Sequence, residues 1–349
     1  MEKSNRIYGI DLLRLILMFM VCMLHVLNNG GVIEASKSNF LNYIIYLFVD
    51  VSLYCAVDGF AIISGYVATD APKKYEKIVE MWFQAFFYSF ILSFVLFRIG
   101  GTSFSSGKLL LSALPILSNQ FWYFTAYFAL YFTMPILNKY LFSISETTAK
   151  RMFLLLLFLF SISNFLFDEY KTQYGYSYLW LCVLYCLGVL TKKIKLFESK
   201  SNKALVLLLF NFITITWLMF ILGFKFLKSY TSPTIVFIAL ILIILFSRIK
   251  IKGNIISKIS PLAFGIYLFH SNPIIWNDIL KNAFIFVGNK NILIGLCYIF
   301  SISFFIFLTG LIVEFFRYKI ARIIKIPLFS KAIVNELKKV IDSLSEMLK

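Results

Sequence analysis

Apolar segments of membrane-spanning length recur along nearly the whole chain, and that repetition leaves few folds open to it. Ten of them read as 7–27, 44–67, 80–98, 121–141, 151–167, 177–191, 204–222, 232–247, 260–280 and 292–313. Each lies near the ~20 residues that cross ~30 Å of hydrocarbon as a helix. Backbone polar groups in lipid must bond internally, which selects helices for such segments. Of 349 residues, 60% are hydrophobic and 15% charged, and the mean hydropathy is +0.84. A soluble domain of this length would need a far more charged surface. The expected fold class is all-α, a polytopic membrane protein with about ten transmembrane helices. The segments at 151–167, 177–191 and 232–247 are short, and 109–117 reads as a re-entrant or interfacial piece, so nine or eleven spans also fit.

Charge decides orientation. The net charge is +17, but its placement argues against nucleic acid as the partner. The N-terminal tail, the loops near 70–80, 139–151, 192–203 and 248–258, and the C-terminal tail hold 25 Lys and Arg, and the intervening loops hold eight. Basic residues concentrate in cytoplasmic loops, so both termini are expected in the cytoplasm. No cleavable signal is expected, because the first apolar segment is too long and ends without an A-x-A-like site. The domain division is 1–313, transmembrane, and 314–349, a cytoplasmic tail. In that tail Arg317, Lys319, Arg322 and Lys325 form a basic patch suited to anionic membrane lipids. Ile333, Val334, Leu337, Val340, Ile341, Leu344 and Leu348 then recur at helical spacing, as in an amphipathic helix on the membrane surface. Cys182 and Cys186 lie four apart on one helix and read as free thiols, and with no CxxC pair near histidine no metal site is expected. Nothing in the pattern argues against a homo-oligomer.

Three ionisable groups stand inside apolar segments, where each costs roughly 2.5–3.5 kcal/mol on insertion scales. Arg14 and His25 share the first span. Eleven positions at ~100° each bring them to within about 20° of one direction, about 16 Å apart along the axis. Asp11, three residues before Arg14, can pair with it on the same face. His270 lies in the ninth segment, three residues before Pro273, which breaks the helical bonding there. Together they point to a polar cavity within a bundle, with Arg14 toward one membrane face and His25 toward the other. The plainer reading makes His25 an interfacial group, Arg14 a structural partner of Asp11, and His270 a cap for the helix break.

Other positions converge on that cavity. Asp50 and Asp58 in the second span need partners, for which Arg14 and His25 are candidates. Gly59 and Gly65 permit close helix approach, and Ser64 can bond across an interface, although packing alone accounts for small residues. Lys73, Lys74 and Lys77 read as a solvated positive-inside loop or as a phosphate clamp. Trp122 and Tyr123 suit an interfacial aromatic belt, yet Tyr123, Tyr127 and Tyr131 at spacing four make a hydroxyl stripe able to stack on a sugar or nucleotide.

Four elements in order carry a family likeness: Arg14 followed after ten residues by His25; Ala61-Ile62-Ile63-Ser64-Gly65-Tyr66; Trp122-Tyr123 through Tyr131 and Pro135; and Ala263-Phe264-Gly265-Ile266-Tyr267-Leu268-Phe269-His270. The chain resembles the membrane acyltransferase-3 family, which O-acylates bacterial surface sugars and related molecules. It departs from the family at Lys73, Lys74 and Lys77, where members commonly carry arginine: charge survives but the bidentate fork does not. A stand-alone acyltransferase, without the esterase-like domain fused to some members, is expected.

The resemblance implies transfer of an acetyl group from cytoplasmic acetyl-CoA, a donor substrate rather than a bound cofactor, to a hydroxyl of a glycan or lipid-linked sugar in the bacterial cytoplasmic (inner) membrane. His25 is expected as general base, since imidazole titrates near neutrality. Arg14, with Asp11, would stabilise developing charge or join the lysines in holding donor phosphates. Asp58, Ser64, Trp122, Tyr123, Tyr127, Tyr131, Tyr267 and His270 would line the acceptor cavity. A transporter or flippase of a lipid-linked sugar would use the same charges as a path. A polymerase or ligase would need a longer outer loop, and a scaffold gives Arg14 and His25 no use.

Overall fold

A computed structural model describes residues 6–100, 105–164, 167–251 and 253–347. Leu348, expected on the amphipathic helix, lies outside the described residues, as do Lys3, Lys252 and Lys349 of the charge pattern. The fold is all-α, with no strand among the described residues. Among the described residues, five helices are long and apolar enough to cross a membrane. They are α1 (Tyr8–Leu27), the broken helix formed by α2 (Phe40–Leu53) and α3 (Ala56–Tyr66), α4 (Glu76–Phe86, continued to Arg98), a helix at Asn202–Ile221, and one at Ile292–Ile323.

The other expected spans are shorter, more polar or interrupted. Segment 121–141 becomes α5 (Trp122–Ser143), and 151–167 becomes α6 (Glu146–Leu157) followed by a π-turn at Phe158–Ile162. Segment 177–191 forms α7 (Tyr178–Lys193). With α8 (Asn202–Ile221) and α9 (Pro233–Ser247) placed, the ninth segment yields a 3₁₀ turn at Ser260–Leu262, α10 (Ala263–His270) and a π-turn at Ile275–Leu280. That break follows Pro273, which has no N–H for the Phe269 carbonyl. Asn272 N–H bonds that carbonyl at 3.1 Å instead. α11 (Ile292–Ile323) runs unbroken past residue 313.

Small residues set the tightest crossings. A Cβ on Gly65 would stand 2.0 Å from the Tyr185 carbonyl oxygen, and one on Gly188 would stand 2.1 Å from that of Ile62. α3 and α7 therefore meet backbone to backbone. Leu17 fills the space above Gly59, where a Cβ would come within 2.7 Å of its Cδ1, so α1 packs on α3 between Arg14 and His25. α8 leaves most of its apolar surface outward, as lipid-facing helices do. All five cysteines are free.

The C-terminal helix, α12 (Ile326–Met347), begins seven residues before the expected Ile333. Its first turns pack on α4, with Phe329 and Phe83 ring centroids 5.7 Å apart and Ser330 and Val334 buried. Leu337, Val340, Ile341 and Leu344 stay exposed. Arg317 departs from the expected basic patch. It turns inward to grip Glu314 with two bonds of 2.8 and 2.7 Å, and the other Glu314 partner is the Tyr88 hydroxyl at 2.9 Å. A carboxylate buried at 1% exposure needs such partners, so Lys319, Arg322 and Lys325 alone face outward.

Candidate active site

The last turn of α1 carries His25, and the loop after it is tied to the chain beyond α10. Asn282 and Phe284 N–H groups bond the carbonyls of Asn29 and Gly30 at 2.8 and 2.9 Å, and the Asn29 side chain bonds the Trp276 carbonyl at 3.0 Å. These bonds bring two histidines, 245 residues apart in sequence, into contact: His25 Nδ1 and His270 Nε2 are 2.8 Å apart. His270 Nδ1 lies 2.6 Å from the Ile266 carbonyl oxygen.

The proton positions follow. A carbonyl oxygen only accepts, so His270 Nδ1 carries a proton and donates it. In the neutral pair His270 Nε2 is then the acceptor and His25 Nδ1–H the donor. The remaining ring nitrogen, His25 Nε2, is left with a free lone pair. Trp276 stands edge-on to His25, 4.6 Å between centroids at 86°, and fixes the ring plane. His270 is fully buried behind His25 and does not line the cavity, in contrast to its expected place there.

His25 opens on a cavity of about 660 Å³ at the end of the bundle away from the N-terminus, within the ~300–1,000 Å³ of small-molecule sites. Its walls are largely aromatic. Trp122 lies 4.7 Å from Tyr176, and Tyr230 stacks on Tyr54 at 4.7 Å and 23°. Tyr123 and Tyr267 also line it, so Trp122 and Tyr123 serve a cavity rather than an interfacial belt.

Asp11 and Arg14 do pair, at 2.7 Å. Arg6, which precedes the helix, joins them with its Nε 2.6 Å from the second Asp11 oxygen, and Ser260 reaches the first at 3.4 Å. This cluster sits at the N-terminal end of α1, and neither Asp11 nor Arg14 is a wall of the His25 cavity. The two ends of α1 thus share a face, as the spacing predicts, but Leu17 packed over Gly59 lies between them.

The tyrosine stripe bridges the two ends. Tyr123 stacks on Tyr127 at 6.3 Å and 13°, and the Tyr127 hydroxyl lies 3.4 Å from that of Ser64. The Tyr131 hydroxyl donates to the Lys74 carbonyl at 2.8 Å, and Lys73 Nζ sits 5.8 Å above the Tyr131 ring. Burial, and next the charge of Lys77, hold the Lys73 ammonium below the ordinary lysine range. Lys77 itself is exposed.

The aspartates find other partners than expected. Asp58, fully buried, accepts from the Trp180 indole at 3.1 Å. Asp50 accepts from Asn28 at 2.6 Å and is ion-paired with Lys228. Neither meets Arg14 or His25. Sequence reasoning missed Trp180, Trp276, Lys228 and Arg6. Lys228 belonged to an apparent outer loop, and Arg6 lies outside helical register with Asp11. Glu314 was missed as well, although a lone acid at the end of a long apolar run, three residues before Arg317, is a signal for it.

Residues 7–313 match the family model described as an acyltransferase domain. No curated protein and no solved structure matches the chain. The match covers most of the sequence and includes the histidine pair, the aromatic cavity and the Asp11–Arg14 pair. The chain belongs to the acyltransferase-3 family, and its chemistry is acyl transfer.

Proposed function

We propose that the protein is an O-acetyltransferase of the bacterial cytoplasmic membrane, with both termini in the cytoplasm. It takes acetyl from acetyl-CoA at the cytoplasmic face and delivers it to a hydroxyl of a cell-surface sugar or polysaccharide precursor at the opposite face. The observation that carries this reading is the 2.8 Å His25–His270 pair, anchored on the Ile266 carbonyl, which leaves an unprotonated imidazole nitrogen on a residue that lines an aromatic cavity.

His25 Nε2 takes the proton of the acceptor hydroxyl as its oxygen attacks the thioester carbonyl. The new C–O bond forms, the C–S bond breaks, and the departing thiolate recovers the proton from His25. Ester and free CoA thiol result, and the imidazole returns neutral. Donor phosphates are held at the other end by Lys73, Lys74 and Lys77 with Arg14. The acyl-bearing arm lies along the Tyr131–Tyr127–Tyr123 stripe. Asp11 holds Arg14 and is a positioning residue.

Mass spectrometry of surface glycans from cells with and without the gene tests the reading. Loss of the mass increment of one acetyl group, restored by the wild-type gene but not by His25→Ala, is expected. Identical glycans in the two strains would refute it.

A further inference from the structure

Among the described residues, the cavity beside His25 has no charged wall. None of its lining residues is Asp, Glu, Lys or Arg. The nearby Asp50 and Lys228 are spent on each other. A carboxylate or phosphate entering this space would shed water without gaining a cation.

Three of its polar groups, by contrast, are idle, whereas Asn28, Asn29 and Asn277 are bonded to the protein. Gln120 Nε2, the Tyr123 hydroxyl and the Ser271 hydroxyl are buried with no hydrogen-bond partner among the described residues, and all three residues line the cavity. Buried donors and acceptors are nearly always satisfied, so three on one cavity are reserved for something that enters it. Trp122 and Tyr230, also on its wall, lie within 26° of parallel with centroids 6.4 Å apart. Such flat rings suit the C–H face of a pyranose, while amide and hydroxyl groups suit its rim.

We propose that the acceptor unit admitted here is an electrically neutral sugar ring, a hexose or N-acetylhexosamine, selected by Gln120, Tyr123 and Ser271 and by the absence of any cation. This deepens the proposed acetyl transfer and rests on it for the role of His25. The hydroxyl to be acylated is the one that the three groups leave pointing at His25 Nε2. Uronic acids and sugar phosphates are refused as the ring that enters, although charge elsewhere on a longer glycan is tolerated outside the cavity.

The test is binding of methyl glycosides to the purified full-length protein in detergent, by calorimetry, with no acyl donor present. Neutral hexosides or N-acetylhexosaminides should bind at least about tenfold more tightly than the matching hexuronates and 6-phosphates. Gln120→Leu and Ser271→Ala should each weaken the neutral ligand about tenfold. Tyr123→Phe, which keeps the ring and removes one hydroxyl, serves if either variant fails to fold. Equal binding of charged analogues, no binding of any neutral glycoside, or unchanged affinity in the folded variants would overturn the proposal. Acetyl transfer by wild-type protein is scored separately. Transfer without charge discrimination strikes this inference alone, whereas discrimination without transfer strikes the reaction.

Discussion

His270 does not itself line the cavity, yet it decides which nitrogen of His25 is free. Removing it deletes the acceptor for His25 Nδ1–H and lets the ring turn or change tautomer. Outer partners that orient a ring nitrogen in this way are typically worth 10–100-fold. His270→Ala should therefore lower kcat by about 10–100-fold with little change in acceptor KM. His270→Asn, whose amide oxygen can accept the same proton, should recover part of the loss. A purely structural role would lower the melting temperature of both variants without separating their kcat. The chain has only two histidines, so nitrogen-15 spectra of the histidine-labelled protein, carrying no histidine tag, report this pair alone. Two Nδ1-protonated rings are expected, and an Nε2-protonated His25 would contradict the assignment.

At the scale of helices, the fold depends on glycines that allow backbones to touch. Gly65→Ala and Gly188→Ala each place a methyl about 2 Å from a carbonyl oxygen across the α3–α7 crossing. Overpacking of this kind typically costs about 1–3 kcal/mol. Both variants should melt at lower temperature in detergent, whereas Gly107→Ala, with nothing within 4 Å, should not. Gly65 was legible in the sequence as a site of close approach, as were the i,i+3 pair of Asp11 with Arg14 and the shared face of Arg14 and His25. Those are properties of one helix, fixed by pitch. The partner of His25 was not legible, nor were those of Asp50 and Asp58. Partner choice depends on which helices are neighbours, and hydropathy gives spans without adjacency. Arg317 departed for a different reason: its charge suggested headgroups, but Glu314, one turn earlier on the same helix and therefore within reach of sequence spacing, takes it.

In the proposed reaction the molecule as a whole separates two binding tasks at opposite ends of α1. Lys73 and the Arg14 cluster belong to one end, and Gln120, Ser271 and His25 to the other, with the tyrosine stripe between. Substitutions at the two ends should therefore raise different Michaelis constants. Lys73→Ala should raise the KM for acetyl-CoA several-fold and leave that for the acceptor unchanged. The sign of its pH dependence follows from its environment. Burial and Lys77 lower the Lys73 pKa, so its charge is fully present at low pH and is lost, as pH rises, sooner than for a free lysine. Donor KM should climb with pH over that range in the wild type. In Lys73→Arg it should stay flat, because guanidinium keeps its proton. A pH-independent donor KM in the wild type would remove Lys73 from the donor site.

The most direct test is acetyl transfer by the purified protein in lipid nanodiscs, from labelled acetyl-CoA to a neutral glycoside. Wild-type protein should release CoA and form the acetylated glycoside. His25→Ala, with its fold intact by thermal melting, should lose about 10³-fold in rate. A His25→Ala protein that acetylates within tenfold of the wild type would contradict the account.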